Sequence, residues 1–562
     1  MIYSDSISRY SDTLEVEVPT APPPEHDPAT VREAALRVMR ERGLTTVFSN
    51  PGSTEVPFLS GLPQDIAFVL GLHEGAVVGM ATGWAIARRR PALVLLHTTA
   101  GLGNAVAALA TARVNRAPFV VLVGQQDRRH LMSEPFLAGR LSGLAGEYPV
   151  AVLQPPRAQD VPGAIARAHE AAVTDAGPAI VIVPMDDWAA PPPAAHERGA
   201  PARVLRPPAA ATEAAEELAA AIAAAGAPAL VVGAGADDPD TWAALVTVAE
   251  RLGCPVWQES FGARAGFPQD HPQFAGNLPA DRTRLRALLG AHDLVVVVGA
   301  PAFRQYAFED GPLVPPGTRV AVVSRHPDEV HRSEADLALL ADPAALCRLL
   351  ATRVPARDGV VPFRRPPRPA APVPPAPGEP LRAGHVLAAL GERLPRDTVV
   401  VEETPSSRPE LERRLPAREP LGYLSAAMGG LGFALPGAIG VRMARPARPV
   451  VAVVGDGSSL YQIQSLWSAA RYGVGVLFVV LSNGRYAIMD RLAERAGAAP
   501  AWPDFEQLSI GGIARALGCD AETIADHDAL LSALDAVVPT LRDRTAPLVL
   551  DVAVAPDPDY TP

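Results

Sequence analysis

An apolar run, Pro449 to Val454, breaks at Gly455-Asp456-Gly457-Ser458-Ser459; an amphipathic stretch follows, and then a second apolar run, Val476 to Leu481, ending at Ser482-Asn483-Gly484. This alternation predicts a strand, a glycine turn, a helix from Leu460 to Tyr472 and a second strand. Asp456 and Asn483 then lie just past the carboxyl ends of parallel strands, the edge at which open α/β sheets bind ligands. An Asp and an Asn there can each give an oxygen to a hard cation, while Gly457 and Ser458 offer backbone N–H groups to phosphate. Mg²⁺ is commonly shared between one or two protein carboxylates or amides and a phosphorylated ligand. A glycine-acid turn alone is commonplace. The Asn placed 27 residues after Asp456 turns the reading toward a metal-bridged diphosphate.

At 562 residues the chain has room for three or four domains. A formal charge of −11 and a pI near 5.6 argue against nucleic acid or an anionic membrane as the main partner. Cys254, Cys347 and Cys519 match no metal or disulfide spacing, which points to a reducing cytoplasm. No apolar run reaches the length of a membrane span. Residues 1–27 are polar and proline-bearing, and are expected to form a flexible tail or an arm on a neighbouring subunit. Proline clusters at Pro191-Pro192-Pro193, Pro201 and Pro207-Pro208, and again from Pro362 to Pro380, mark linkers. Three blocks remain, 28–192, 205–355 and 380–562, each alternating strand-like runs with helical segments. The expected fold class is α/β, with three doubly wound parallel-sheet domains.

In the first block, strand-like runs end at Asn50-Pro51-Gly52-Ser53, at His73-Glu74-Gly75-Ala76 and at His97-Thr98-Thr99-Ala100-Gly101-Leu102-Gly103-Asn104. A further strand, Phe119 to Val123, ends at Gly124-Gln125-Gln126. Ser53 suits a helix cap as well as a ligand contact. Glu74 opens a helix of small and apolar residues, where a carboxylate is costly without a partner. His97 has a structural reading as well as a functional one. Ser53, Glu74 and His97 at the ends of successive strands favour a shared cleft.

The middle block carries Gly233-Ala234-Gly235 and Gly299 after apolar strands, a Rossmann-like pattern lacking the third glycine of a dinucleotide site. Cys254, read as part of an apolar strand, is most simply a small buried hydrophobe. In the last block, Glu402-Glu403-Thr404-Pro405-Ser406-Ser407 forms a polar strand end, either a ligand edge or a capped turn. Met428-Gly429-Gly430-Leu431-Gly432 sets glycines around one leucine, which also fits a tight helix start.

Taken in order, these motifs resemble the thiamine-diphosphate (ThDP) dependent 2-oxo acid decarboxylase superfamily and, within it, the benzoylformate decarboxylase group. The resemblance runs through nearly the whole chain, including Ala426 to Pro436 and Gly299-Ala300-Pro301-Ala302-Phe303-Arg304. It implies a pyrimidine-binding, a central Rossmann-like and a diphosphate-binding domain, with FAD absent from the central one. Asp456, Asn483 and the main-chain carbonyl of Arg485 become the Mg²⁺ ligands, although Ser482 stands where the family has a first Asn. Gly457, Ser458, Thr404 and Ser406 fall to the cofactor, Leu431 to an apolar wedge beneath it, and the Gly429 carbonyl to its aminopyrimidine. Glu74 shares a proton with the far pyrimidine nitrogen and so makes the coenzyme's own amine an internal base. Ser53 is expected to orient the substrate carboxylate and His97 to transfer a proton.

Two departures reshape this expectation. Tyr306 occupies the place of the group's second catalytic histidine, and a phenol, titrating near about 10, is a poor proton shuttle at neutral pH. In the stretch Tyr486 to Leu492, which with Met489 should line the substrate pocket, Ile488 replaces a small residue and Leu492 an aromatic wall. The expected activity is non-oxidative decarboxylation of a 2-oxo acid to an aldehyde. A carboligase or lyase handling 2-hydroxy ketones, acetolactate synthase-like activity included, is the alternative, and a cofactor-free scaffold the remote one. The resemblance also implies a homodimer or homotetramer with active sites between subunits.

Overall fold

The computed structural model describes residues 27–194, 212–357, 359–365, 367, 369–376 and 378–557. The proposed tail, apart from Asp27, and the linker prolines Pro201, Pro207 and Pro208 lie outside the described residues. By compactness the chain divides into two units. Among the described residues, one holds those up to 194 together with Glu403–Ser406 and 428–557, and the other holds 212–402 and Ser407–Ala427.

The first sheet is built from β1 (Thr46–Asn50), β2 (Ala67–Leu70), β3 (Ala92–His97), β4 (Phe119–Gln125), β5 (Ala151–Leu153) and β6 (Pro178–Pro184). All pair in parallel, in the order β2-β1-β3-β4-β6-β5. The chain steps outward from β1 to β2 and returns on the far side of β1 to lay down β3. The topological switch point, and with it the crevice open to a ligand, therefore lies between the ends of β1 and β3. The continuous apolar runs of β3, β4 and β6 follow from burial on both faces.

The central sheet comprises β7 (Pro228–Val232), β8 (Val256–Gln258), β9 (Phe274–Asn277), β10 (Leu294–Val298), β11 (Arg319–Ser324) and β12 (Leu337–Leu340), ordered β12-β11-β10-β7-β8-β9. Its switch point falls between β7 and β10. Cys254 lies just before β8 rather than in it, and is buried. Burial pushes the thiols of Cys254, Cys347 and Cys519 up to about 12, the behaviour of small hydrophobes.

The strands of the last block are β13 (Leu381–Arg382), β14 (Val399–Glu403), β15 (Tyr423–Ser425), β16 (Val450–Gly455), β17 (Leu477–Ser482), β18 (Asp520–Ile524) and β19 (Leu548–Ala555). β14 pairs with β15, β16 with β17, β17 with β19 and β18 with β19, all in parallel. The helix expected from Leu460 to Tyr472 starts late, and the expected glycine turn before it is itself partly helical. Asp456–Ser459 forms one short helical turn, and the longer helix starts only at Ser465.

Within the first unit, the small-residue helix Glu74–Arg88 packs on Ala434–Ala444. A methyl group at Gly83 would overlap the carbonyl oxygen of Gly437, and one at Gly440 that of Met80. The glycines and alanines that looked like a bland apolar helix thus bring two backbones into contact, and this contact fixes the Glu74 turn against the last block.

Candidate active site

Three constellations form in the first unit. The first surrounds Glu74, which is 6% exposed at the start of its helix. One carboxylate oxygen accepts from Asn50 Nδ2 at 3.2 Å and the other from Asn104 Nδ2 at 3.1 Å. His73 caps the helix, its Nδ1 accepting from Gly75 N at 3.0 Å. A hydrogen bond to a charged group contributes about 1.5–3 kcal/mol, so two of them offset much of what burying this carboxylate costs. Asn50 and Asn104 both lie in motifs visible in the sequence, but their service to one carboxylate had no local signal.

The second constellation surrounds His97, at the end of β3. Its Nδ1 lies 3.0 Å from Glu55 Oε2 and 3.0 Å from Thr54 Oγ1. Glu55 Oε2 also accepts from Gly52 N at 2.8 Å, and Glu55 Oε1 accepts from the Thr54 hydroxyl at 2.5 Å. Gly52 lies against the imidazole, where a methyl group would overlap the ring. Thr98, the next residue, is buried at φ 38°. A β-branched residue in that region costs of order 1–3 kcal/mol, and such strain gathers at functional sites. Ser53 is exposed beside this group. Glu55 is the residue that sequence reasoning missed. Two positions past Ser53, it carries no local signal of its own, and only the fold brings it under His97.

The third lies at the ends of β16 and β17. Asp456 accepts from Gly457 N at 2.7 Å, Asn483 N at 2.9 Å and Gly484 N at 2.6 Å. Burial pushes its carboxyl up; those backbone N–H groups oppose the shift, and the charge of Asp551 adds to it. Asn483 Oδ1 accepts from Arg485 N at 3.1 Å. Ser482, at the altered motif position, donates to Asp551 at 2.5 Å. Gly457 is covered by Tyr486 and Phe505, whose rings pack edge to face at 5.0 Å, and the Tyr486 ring leaves no room for a side chain at Gly457.

The remaining predicted residues are dispersed. Ser458 and Thr404 are buried, Leu431 is half-buried, and Gly429 is exposed at φ 73°. Ser406 Oγ accepts from Ile488 N at 3.1 Å and so ties Ser406 to the start of helix Ala487–Arg495. Glu403 accepts from the backbone N–H groups of Gly432, Phe433 and Ala434, each at 2.7 Å, and so fixes the loop that carries Leu431. Ile488 and Leu492 are half-buried and Met489 is exposed. Tyr306 belongs to the second unit and is 73% exposed, its backbone N–H bonded to Ala280 O.

The donor set suits a hard cation. Asp456 is a buried carboxylate penalised for its charge, beside an amide oxygen on the neighbouring strand end, which fits Mg²⁺ shared with a diphosphate. Among the described residues no group of three or more His, Cys, Asp or Glu could hold a metal by itself. An ion held by one carboxylate, one amide and one carbonyl does not require such a group.

Three family models match the chain. They are the thiamine pyrophosphate enzyme N-terminal TPP binding domain over residues 29–140, the central domain over 215–350 and the C-terminal TPP binding domain over 407–552. The chain belongs to the ThDP-dependent 2-oxo acid decarboxylase superfamily and is an enzyme of its carboxy-lyase branch. It is 39% identical over 518 residues to a benzoylformate decarboxylase of Pseudomonas aeruginosa, a match covering 90% of this chain and 96% of that protein. The solved structure of a Rhodococcus jostii ThDP-dependent 4-hydroxybenzoylformate decarboxylase superposes with a TM-score of 0.89 at 33% identity, covering 95% of this chain and all of that one. A Polynucleobacter necessarius benzoylformate decarboxylase does so with a TM-score of 0.89 at 32% identity, covering 95% of this chain and 100% of that one.

Proposed function

We propose that the chain is a ThDP- and Mg²⁺-dependent non-oxidative decarboxylase that turns a 2-oxo acid of the benzoylformate type into an aldehyde. The observation that carries this reading is the buried Glu74 carboxylate, held by two amides at the switch point of the first sheet. Asp456, Asn483 and the Arg485 carbonyl would hold Mg²⁺, Gly457 and Ser458 the diphosphate, and Leu431 and Gly429 the bent ring system, with Thr404 and Ser406 at its edge. When bound, the coenzyme supplies a carbon that adds to the substrate ketone and takes up the electron pair released as CO₂ departs. Glu74 holds a proton at the pyrimidine nitrogen, Ser53 orients the substrate carboxylate, and His97 delivers a proton to the carbon that lost it. Ile488 narrows one side of the pocket and Leu492 opens another, which favours a 2-oxo acid differing from benzoylformate in shape.

We infer a homodimer or homotetramer in which Glu74 of one subunit serves the Asp456 site of another. Met132 and Phe136, 98% and 86% exposed, are apolar surface that such an assembly would cover. No described helix is long and apolar enough to cross a membrane, and three buried thiols suit a reducing cytoplasm.

A carboligase is the second reading, favoured by the exposed phenol of Tyr306 at the place of the group's second histidine. Holoenzyme incubated with pyruvate, benzoylformate and branched 2-oxo acids, with and without acceptor aldehydes, separates the two. Free aldehyde supports the decarboxylase and a chiral 2-hydroxy ketone the carboligase. Absence of ThDP and Mg²⁺ binding by calorimetry would leave only a scaffold.

A further inference from the structure

Glu55 and Thr54 have no place in the chemistry described so far, yet the fold is built around their contact with His97. The Glu55 side chain is fully buried, while that of His97 is 18% exposed, so the carboxylate lies beneath the ring and the ring reaches outward. In the β3–β4 register His97 stands opposite Gly124. A methyl group at Gly124 would overlap Glu55 Oε1, so the absent side chain is what makes room for the carboxylate. Gly52 does the same for the imidazole, and its N–H anchors Oε2.

The available donors and acceptors then decide where the ring proton sits. An ionised carboxylate only accepts. The single proton of the Thr54 hydroxyl is engaged by Glu55 Oε1 at 2.5 Å, so its remaining lone pairs face the ring. Both atoms 3.0 Å from Nδ1 are therefore acceptors, and Nδ1 must carry hydrogen. The nitrogen left for chemistry is Nε2, as in other carboxylate–imidazole pairs where the partner of one nitrogen fixes the task of the other.

We propose that Glu55, assisted by Thr54, is a positioning residue that holds His97 as the Nδ1–H tautomer, so that Nε2 is the atom that takes up and delivers the proton. This rests on the reading of His97 as the proton donor. The balance is simple. The bond between the carbonyl and carboxylate carbons breaks and CO₂ leaves. The electron pair it leaves behind forms a C–H bond with the proton from Nε2, the aldehyde departs, and His97 is reprotonated from water.

The test compares Glu55→Gln, Thr54→Val, His97→Gln and the double variant Glu55→Gln/His97→Gln. In full-length protein labelled with ¹⁵N-histidine, the His97 signals are assigned by their loss in His97→Gln. Neutral wild-type His97 should show a protonated Nδ1 and an unprotonated Nε2; Glu55→Gln should give a mixture, and Thr54→Val a partial one. In holoenzyme, with benzoylformate and pyruvate as probe substrates, Glu55→Gln should release aldehyde about 100-fold more slowly. Deuterium exchange at the bound coenzyme's reactive carbon should be unchanged, the product ratio should move toward 2-hydroxy ketone, and the double variant should be no slower than His97→Gln. A single wild-type tautomer in both Glu55→Gln and Thr54→Val, or an aldehyde defect that multiplies with that of His97→Gln, overturns the proposal. Wild-type aldehyde release by His97→Gln would instead overturn the donor reading, and the tautomer measurement would still decide the role of Glu55. Thr54→Val retains the buried carboxylate, so its tautomer spectrum decides the matter should Glu55→Gln fold poorly.

Discussion

The first and central sheets cross over in the same way, and each has a glycine-marked switch point, but the two crevices are filled differently. Between β1 and β3 the strand ends bring Asn50, Glu55 and His97 together, with Glu74 reached through Asn50. Between β7 and β10 the glycines close on one another. Gly235 N donates to Gly299 O at 2.8 Å and Gly233 N to Val298 O at 3.1 Å. A methyl at Gly233 would meet Ala300 Cβ at 2.6 Å, and one at Gly299 would overlap Ala236 N. The N–H groups of Gly233 and Gly235, which a phosphate-binding loop would present to a ligand, are used within the protein. Sheet order locates a crevice, and the side chains around it decide whether the crevice does chemistry or is sealed by backbone.

The largest effect that would sharpen this contrast comes from Glu74. Glu74→Gln should lower kcat by about 10²–10⁴-fold and abolish most hydrogen–deuterium exchange at the coenzyme's reactive carbon. The fold should survive, because the replacement amide keeps its oxygen for one of the two Asn partners. Undiminished exchange would mean that the first crevice is no more chemical than the second.

The next effect sets two glycines against each other. Gly299→Ala places a methyl against backbone at φ 67° and should destabilise the protein by about 3 kcal/mol while leaving turnover of the folded fraction unchanged. Gly52→Ala presses instead on the His97 ring, a side chain that can turn aside, and should cost about 1 kcal/mol in stability while lowering kcat about tenfold or more. Urea denaturation and steady-state kinetics on both variants measure this. If both variants lose only stability, the two switch points do not differ in kind.

Much of this was legible in the chain because strand ends carry their own punctuation. Gly455-Asp456-Gly457, Asn483, Glu74 and His97 stand out where apolar runs stop at polar turns, and the structure puts each at or just past a strand end. What stayed hidden depends on pairing across distant segments. Glu55 meets His97 across 42 positions, Asn104 meets Glu74 across 30, and Glu403 meets Ala434 across 31. Each is one polar residue whose partner lies far along the chain, and nothing in its own neighbourhood announces that partner. The late start of the helix, at Ser465, was invisible for another reason. The apolar spacing from Leu460 onward satisfies helical periodicity, yet the backbone bends there to carry Gln462 past Gly75 and Gly432.

The central unit holds charge of its own, and this gives the smallest effect. Arg408 Nε lies 3.1 Å from Glu412 and 3.6 Å from Glu402, and the Tyr423 hydroxyl donates to Glu402 at 3.0 Å. Arg408, Glu412 and Tyr423 border a cavity shared with Gln258 and Asn277. One guanidinium faces two carboxylates. Burial pushes the Glu412 carboxyl up to about 7, opposed by Arg408 and reinforced by the charge of Glu402. The unfolded chain releases this proton near 4.5 and the folded chain near 7. The contribution of Glu412 to stability is therefore complete below pH 4.5 and is lost as the pH rises through 7. A fifth of the side chain, 20%, reaches solvent, which screens part of the effect. A loss of about 2 kcal/mol is expected between about pH 5 and 8. Glu412→Gln should remove that slope in urea denaturation across the same range and leave turnover unchanged. A fall in turnover would mean that the charges of the central unit, like those at the first crevice, belong to the chemistry and not to the fold alone.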